Sequence, residues 1–176
     1  MEYPGLQTKM SSDKEIVNAC ETFNRDIEYN HDGTAANTIT TMTVRLPNTV
    51  TLVNGTGAIS HSRSTKAVNE GRLLSSFQAI DTNSNVVMSE VNGETLITFN
   101  VNGYLGYDLQ PDWGGILRVN VQANCNNLSN TILIGTVVGH YENVINFGSV
   151  SSEDDVQIKN PDLYLRKAVD RKDPLI

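Results

Sequence analysis

The sequence of 176 residues predicts a mainly β protein, either a jelly-roll-like β-sandwich or a barrel. Three observations predict this class. Short segments rich in β-branched residues, several of them alternating apolar and polar side chains, recur between residues 38 and 150. Turn-forming Gly, Asn and Pro residues separate these segments at the spacing typical of sandwiches and barrels. No internal repeat is visible, which argues against a propeller or a solenoid.

The clearest local pattern is a β-hairpin over residues 85–101, with its turn at Asn92-Gly93. Asn-Gly suits a two-residue type I′ turn, because both central residues need a positive φ. That turn predicts the pairs Val91–Glu94, Glu90–Thr95, Ser89–Leu96, Met88–Ile97, Val87–Thr98 and Val86–Phe99. The same register collects one apolar face, formed by Val86, Met88, Ile97, Phe99 and Val101.

The N-terminal region predicts an extended arm over residues 1–11, followed by an amphipathic helix over about 13–28. Ser12 and Glu15 have the spacing of a helix capping box. Apolar residues then recur at helical spacing, at Ile16, Cys20, Phe23 and Ile27. We expect this helix either to pack on a sheet or to contact a neighbouring subunit.

Further strands are predicted at 38–46, 49–53, 73–80, 116–123, 131–138 and 141–147. The alternation in 116–123 places one apolar set on a single face: Leu117, Val119, Val121 and Ala123. The continuous apolar run at 131–138 predicts a strand that is buried on both faces, and Gly135 inside it predicts a bulge or a close approach. Residues 55–72 are polar and small, which predicts a long loop in which His61 is exposed to solvent.

The C-terminal segment, 151–176, predicts an arm beyond the sandwich domain of residues 12–150. Residues 151–155 have the composition of an acidic turn. Asn160-Pro161-Asp162 is a helix-start signal, and a short helix is predicted to run to about Lys172. The apolar side chains of this arm, Leu163, Leu165 and Val169, are the candidate contact to another copy of the chain.

Charge and hydropathy limit the classes of partner. The formal net charge is −7 and no Lys- or Arg-rich run occurs, so we expect no direct binding to nucleic acid. The chain as given shows neither a signal peptide nor an apolar run long enough to span a membrane, which predicts a soluble protein. Cys20 and Cys125 could form one disulfide, but their apolar positions favour two buried thiols.

No catalytic, nucleotide-binding or metal-binding motif is recognisable, and we expect no enzyme activity, cofactor or metal. His31, His61 and His140 are each isolated in the sequence. Residues 81–85 match the first three ligand positions of a calcium loop but lack its glycine and its final Glu, which favours a plain polar turn.

The candidate binding site is the stretch 102–115, which follows the hairpin. It concentrates aromatic and polar side chains in a chain that is otherwise poor in aromatic residues: Tyr104, Tyr107, Asp108, Asp112 and Trp113. Aromatic rings beside carboxylates and amides suit either the stacking of a sugar or an anchor at a protein interface. A loop that caps one end of the domain with buried rings is the structural alternative.

These features together predict a structural subunit of a viral or phage particle, located in the virion. In such a protein the sandwich would be the rigid body, and the terminal arms would contact other copies or other particle subunits. This prediction rests on analogy with acidic, Asn- and Thr-rich, catalytically silent sandwiches. The alternative is a carbohydrate- or receptor-binding module that uses residues 102–115, and a small enzyme or toxin ranks third.

Overall fold

The computed structural model describes residues 2–65, 75–126 and 130–159. Within these ranges the chain forms twelve strands and one short helix. In chain order they are β1 (Gln7–Ser12), β2 (Ile16–Asn18), β3 (Thr22–Asn30), β4 (Ile39–Leu46), β5 (Val50–Leu52), β6 (Ile59–Ser64), β7 (Gln78–Ala79), β8 (Val86–Val91), β9 (Glu94–Asn100), α1 (Val101–Leu105), β10 (Gly114–Ala123), β11 (Thr131–Glu142) and β12 (Phe147–Lys159).

The strands form two six-stranded sheets that pack as a sandwich, as predicted. The first sheet has the order β1-β3-β10-β6-β7, with β5 also paired to β10. The second has the order β2-β12-β11-β4-β9-β8. Within the described residues both sheets have free edges, which distinguishes the fold from a closed barrel.

The strand order is that of an immunoglobulin-like sandwich rather than of the predicted jelly roll. Strands β1, β3, β10 and β6 follow the A-B-E-D order, while β4, β11 and β12 take the C, F and G positions. The β8–β9 hairpin is inserted between the D and E positions and extends the second sheet beyond β4. Pairing of distant strands decides this order, and no local pattern encodes it.

The predicted helix over 13–28 is wrong, because this segment forms β2 and β3. Every second side chain of β3 is buried: Phe23, Arg25, Ile27 and Tyr29 are at most 2% exposed. The Arg25 guanidinium donates hydrogen bonds to the Leu133 carbonyl at 2.8 Å and to the Asp154 carbonyl at 2.9 Å, and so ties the two sheets together. A charged residue at a core position hid the strand period of two from the sequence pattern.

A part of each predicted arm belongs to the sandwich. Strand β1 pairs with β3 over Gln7–Ser12, so residues 7–11 of the predicted N-terminal arm lie in the first sheet. Residues 151–155 lie inside β12 and pair with β11, so the predicted acidic turn is wrong. The rest of the C-terminal arm, with Leu163, Leu165 and Val169, lies outside the described residues.

The register of the central hairpin is confirmed. All six predicted pairs are observed, from Val91 opposite Glu94 to Val86 opposite Phe99. Asn92 and Gly93 have φ of 53° and 81°, as a type I′ turn requires. On its inner face Val86, Ile97, Phe99 and Val101 are buried, whereas Met88 remains 45% exposed.

Strand β11 differs from its prediction, because only one of its faces is buried. Leu133 and Val137 are fully buried, whereas Ile132 and Ile134 are 61% and 49% exposed. The pairing to β12 is continuous through Gly135, so there is no bulge. The predicted close approach is confirmed, since a Cβ at Gly135 would lie 3.0 Å from an Arg25 guanidinium nitrogen.

The five remaining strand predictions have mixed outcomes. Strands β4, β5 and β10 match their predictions, and the inward set of β10 is fully buried. The predicted core strand at 141–147 is wrong: β11 ends at Glu142, and Phe147, the first residue of β12, is 79% exposed. Of 73–80 only Gln78–Ala79 is strand within the described part, and β6 occupies part of the predicted loop at 55–72.

Cys20 and Cys125 form a disulfide, so the favoured pair of buried thiols is wrong. The bridge joins the turn before β3 to the chain just after β10. The Cys20 amide also donates to the Ala123 carbonyl at 3.1 Å, which holds these two strand ends together. In the described part of the chain, no helix is long and apolar enough to span a membrane.

Candidate functional site

A cleft of about 360 Å³ opens where β6, the segment around β7 and α1 meet. Its lining residues are His61, Arg63, Ser75, Ser76, Gln78, Tyr104 and Leu105. Two other clefts, of about 470 and 480 Å³, have no aromatic residue in their linings. Of these three clefts, the smallest combines an aromatic ring, a cation and neutral polar groups.

Helix α1 brings Tyr104 to the cleft directly after the central hairpin. The Asn100 side chain caps the helix by accepting a hydrogen bond from the Gly103 amide at 3.1 Å. Gly106, with a φ of 82°, ends the helix in the left-handed conformation. A Cβ at Gly103 would displace the ends of the Asn85 and Asn100 side chains, and Asn100 is the residue that caps the helix.

His61 forms the floor of the cleft. It is only 3% exposed, and its Nε2 lies 2.7 Å from the Tyr29 hydroxyl. Its ring also contacts Tyr104 and Phe99, with centroids 5.1 and 5.3 Å away. Burial, with the nearby Arg63 charge, lowers the pKa of His61 to about 4, so the floor is neutral at pH 7. The prediction that His61 is exposed to solvent is wrong.

The three aromatic side chains predicted as one site form two groups. The Tyr104 ring packs on His61 and Phe99 at the cleft, whereas Tyr107 and Trp113 pack edge to face with centroids 5.2 Å apart. Arg63 links the groups, because its Nη1 donates to the Tyr107 hydroxyl at 3.3 Å.

The two predicted acidic residues lie outside the cleft. Asp108 and Asp112 are exposed and do not line it. Between them Leu109 is fully buried and forms a β-bridge with Asn37. The stretch 102–115 therefore both caps one end of the sandwich and supplies one wall of the cleft.

The electrostatic character of the cleft contrasts with that of the whole chain. The formal net charge is −7, yet the described lining contains Arg63 and no carboxylate. Ser75 is held against β6, because its hydroxyl accepts the Arg63 amide at 3.0 Å. The cleft can thus offer a guanidinium, hydroxyl and amide groups, and the exposed part of an aromatic ring.

The sequence predicts Tyr104 as a binding residue, which stays a prediction, and it does not indicate the β6 side of the cleft that Tyr104 lines. Its residues Ile59, His61 and Arg63 alternate with serines, so the strand carries a single strongly apolar side chain. The sequence signal for β6 is the alternation of serines with larger side chains, in which His61 occupies a buried position.

The turn at residues 81–85 has the plain polar structure that was favoured over a calcium loop. The Asp81 carboxylate accepts hydrogen bonds from the Gly57 and Ala58 amides at 2.8 and 3.1 Å. The Asn83 side chain accepts the Asn85 amide at 2.9 Å. No three His, Cys, Asp or Glu side chains cluster as metal ligands within the described ranges.

Comparison with known proteins gives matches at the level of structure. No model of a known protein family matches the chain, and no curated protein matches it in sequence. The major pilin subunit BcpA of Bacillus cereus is similar in structure, with a TM-score of 0.54 and 14% identity over 88% of this chain and 39% of the pilin. The full-length major pilin SpaD from Corynebacterium diphtheriae gives a TM-score of 0.54 and 10% identity over 86% of this chain and 35% of the pilin.

A third similar structure is the N-terminal domain of the Streptococcus gordonii adhesin Sgo0707, with a TM-score of 0.53 and 11% identity over 90% of this chain and 32% of that one. The chain thus spans about a third to two fifths of the length of these structures. At these identities the comparisons show a shared fold.

The predicted viral or phage structural subunit, and with it the virion location, is contradicted by these comparisons. The similar folds belong to pilins and an adhesin of bacteria. An acidic composition rich in Asn and Thr, without catalytic motifs, is typical of solvated β-sheet surfaces in general. Such a composition carries no information about the assembly in which the surface is used.

Proposed function

We propose that this chain is a binding module of a bacterial surface protein and that it takes a glycan or a glycan-bearing receptor in the Arg63–Tyr104 cleft. The observation that carries the proposal is the composition of this cleft, in which a ring, a guanidinium and neutral polar groups converge. The shared fold with the major pilins and the adhesin Sgo0707 supports the setting.

Each part of the lining suits one feature of a sugar. The exposed part of the Tyr104 ring suits the apolar C–H face of a pyranose. Ser76 and Gln78 supply hydroxyl and amide groups that can pair with sugar hydroxyls. The Arg63 guanidinium favours sugars that carry a carboxylate, because such pairs form two parallel charge-assisted hydrogen bonds.

The same cleft is better suited to binding than to cleavage. Enzymes that hydrolyse glycosidic bonds use two carboxyl groups on either side of the bond. The described lining supplies none, and the buried His61 is neutral at pH 7. We therefore propose a non-enzymatic module.

A surface location is supported independently by the Cys20–Cys125 disulfide. Disulfides form and persist mainly in oxidising compartments outside the cytosol. This argument uses neither the cleft nor the fold comparisons.

The test is a binding titration of the purified protein with oligosaccharides that end either in a neutral sugar or in a sialic or uronic acid. We expect the acidic sugars to bind more tightly than the neutral ones. Arg63→Ala should lower the affinity for the acidic sugars by about tenfold, which corresponds to the loss of one charge-assisted interaction. Saturation-transfer NMR should show contact between the sugar C–H groups and Tyr104.

Arg45→Ala is the matched control, because Arg45 lies on the second sheet, away from the cleft, and is 55% exposed in its side chain. It should leave the affinity unchanged. Equal affinities for Arg63→Ala and the wild type, or no binding to any sugar of the set, would overturn the proposal.

A further inference from the structure

Among the described strands, β8 is a free edge of the second sheet. It pairs with β9 on one side, and no described strand pairs with its other side. After Val86, every residue of this strand is exposed, and Val87, Met88 and Val91 are 58%, 45% and 44% exposed. Such an exposed edge is a template for pairing with another strand.

The backbone groups that point to the free side follow from the hairpin register. The Asn100 amide donates to the Asn85 carbonyl at 2.8 Å, which makes Asn85 and Asn100 a hydrogen-bonded pair. Because such pairs alternate in an antiparallel ladder, Val87, Ser89 and Val91 bond to β9. The amides and carbonyls of Met88 and Glu90, and the Val86 carbonyl, therefore face away from the sheet.

The edge lacks the usual protection against pairing. Strand β8 contains no Lys, Arg or Pro, and its pairing to β9 runs without a bulge. The other edges differ. Strands β2 and β7 have only three and two residues, and on β1 the Met10 amide already donates to the Ser152 hydroxyl at 3.0 Å.

We propose that the free edge of β8 pairs antiparallel with β8 of a second copy of the chain, about a two-fold axis at Met88. The two second sheets then form one continuous sheet across the dimer. Each Met88 exchanges both of its backbone hydrogen bonds with Met88 of the other copy, and each Glu90 amide donates to the opposite Val86 carbonyl.

Charge placement favours the same chain as the occupant. Glu90, the only charged residue of β8, lies opposite Val86 of the other copy in this register. The two Glu90 side chains are offset by four residues, roughly 13 Å along the strands, which exceeds the screening length at physiological salt. Val87 lies opposite Ser89 in the same way, so the pairing places no like charges face to face.

Sedimentation velocity over a range of protein concentrations tests the dimer. We expect a monomer–dimer equilibrium, and Met88→Lys should raise the dissociation constant about tenfold or more, because a Lys on an edge strand opposes pairing. Val138→Lys is the matched control, since Val138 is 47% exposed on β11 of the same sheet and the variant should dimerise as the wild type does.

Crosslinking tests the register. Met88→Cys should form an intermolecular disulfide on mild oxidation, because the paired Cα atoms lie about 5.5 Å apart in such a ladder. Glu90→Cys should not crosslink, because its two copies are too far apart. A strict monomer at all concentrations, or a dimer that Met88→Lys leaves intact and Met88→Cys does not trap, would overturn the proposal. Sugar binding at the cleft is measured in a separate experiment, so one of the two proposals can be overturned while the other stands.

Discussion

At the scale of single residues, His61 makes the stability of the sandwich depend on pH. Its pKa is about 4 in the folded protein, against an ordinary value of 6.5, because burial disfavours the charged ring. The unfolded chain therefore binds a proton at higher pH than the folded chain does. The contribution of neutral His61 to the free energy of unfolding is complete above about pH 6.5 and is lost as the pH falls towards 4. This contribution is about 3 kcal/mol in total.

Urea unfolding at a series of pH values between about 7.5 and 4.5 measures this effect. We expect His61→Gln, which keeps a polar partner for the Tyr29 hydroxyl, to lower the stability at neutral pH and to flatten its fall in acid. If the wild type and His61→Gln lose stability in parallel over this range, proton binding by His61 is not the cause.

Arg25 is the residue that gives the β3 segment the apolar spacing of a helix. Its side chain is fully buried, and burial lowers the pKa of its guanidinium while Asp154 and Asp155 oppose that shift. Buried arginines are rare, so a pattern of apolar residues cannot anticipate one at a core position. If only apolar residues are taken as core positions, the spacing of Phe23 and Ile27 fits a helix. If Arg25 is also taken as a core position, the spacing becomes every second residue, as in a strand.

At the scale of elements, the Asn92-Gly93 turn controls the β8–β9 hairpin. Gly93 has a φ of 81°, and a Cβ there would meet only ordinary contacts with Asn48. Backbone strain alone therefore decides the cost of Gly93→Ala, which we expect to be about 1 kcal/mol. Thermal unfolding should show this loss, and hydrogen exchange should accelerate in β8 and β9. Asn92→Gly, which tolerates the same conformation, is the control and should have a smaller effect.

The hairpin and β11 show which elements a sequence can predict. The hairpin register was predictable because the turn and the apolar alternation, both local, agree. The burial of β11 was not, because Ile132 and Ile134 are apolar residues on an outer face that no described element covers. The β6 wall of the cleft depends on pairing with β10, a strand about fifty residues away in sequence, and is likewise invisible locally.

At the scale of the whole molecule, the sequence correctly predicts a β-sandwich, but its prediction of a viral or phage structural subunit is wrong. Alternating strands and turns suffice for the class, because one face of each strand must be buried. The strand order depends on pairings over long separations, such as β3 with β10, which single-sequence patterns do not encode. Tyr104 is predicted as a binding residue from composition alone, whereas only the folded arrangement shows that His61 and Arg63 line the same cleft.

The Cys20–Cys125 disulfide is expected to stabilise the whole domain. It links residues 105 positions apart, so it restricts a large part of the unfolded chain. Loops of this size lose the most entropy when they are closed, and we expect reduction to lower the free energy of unfolding by about 2–4 kcal/mol. Urea unfolding with and without reductant measures the difference.

A variant with both Cys20→Ser and Cys125→Ser should be as unstable as the reduced wild type and should not respond to reductant. Two results would contradict this prediction. One is free thiols in protein that has been purified under oxidising conditions. The other is an unchanged unfolding midpoint after complete reduction, because the bridge would then not restrict the unfolded chain in the way its long loop requires.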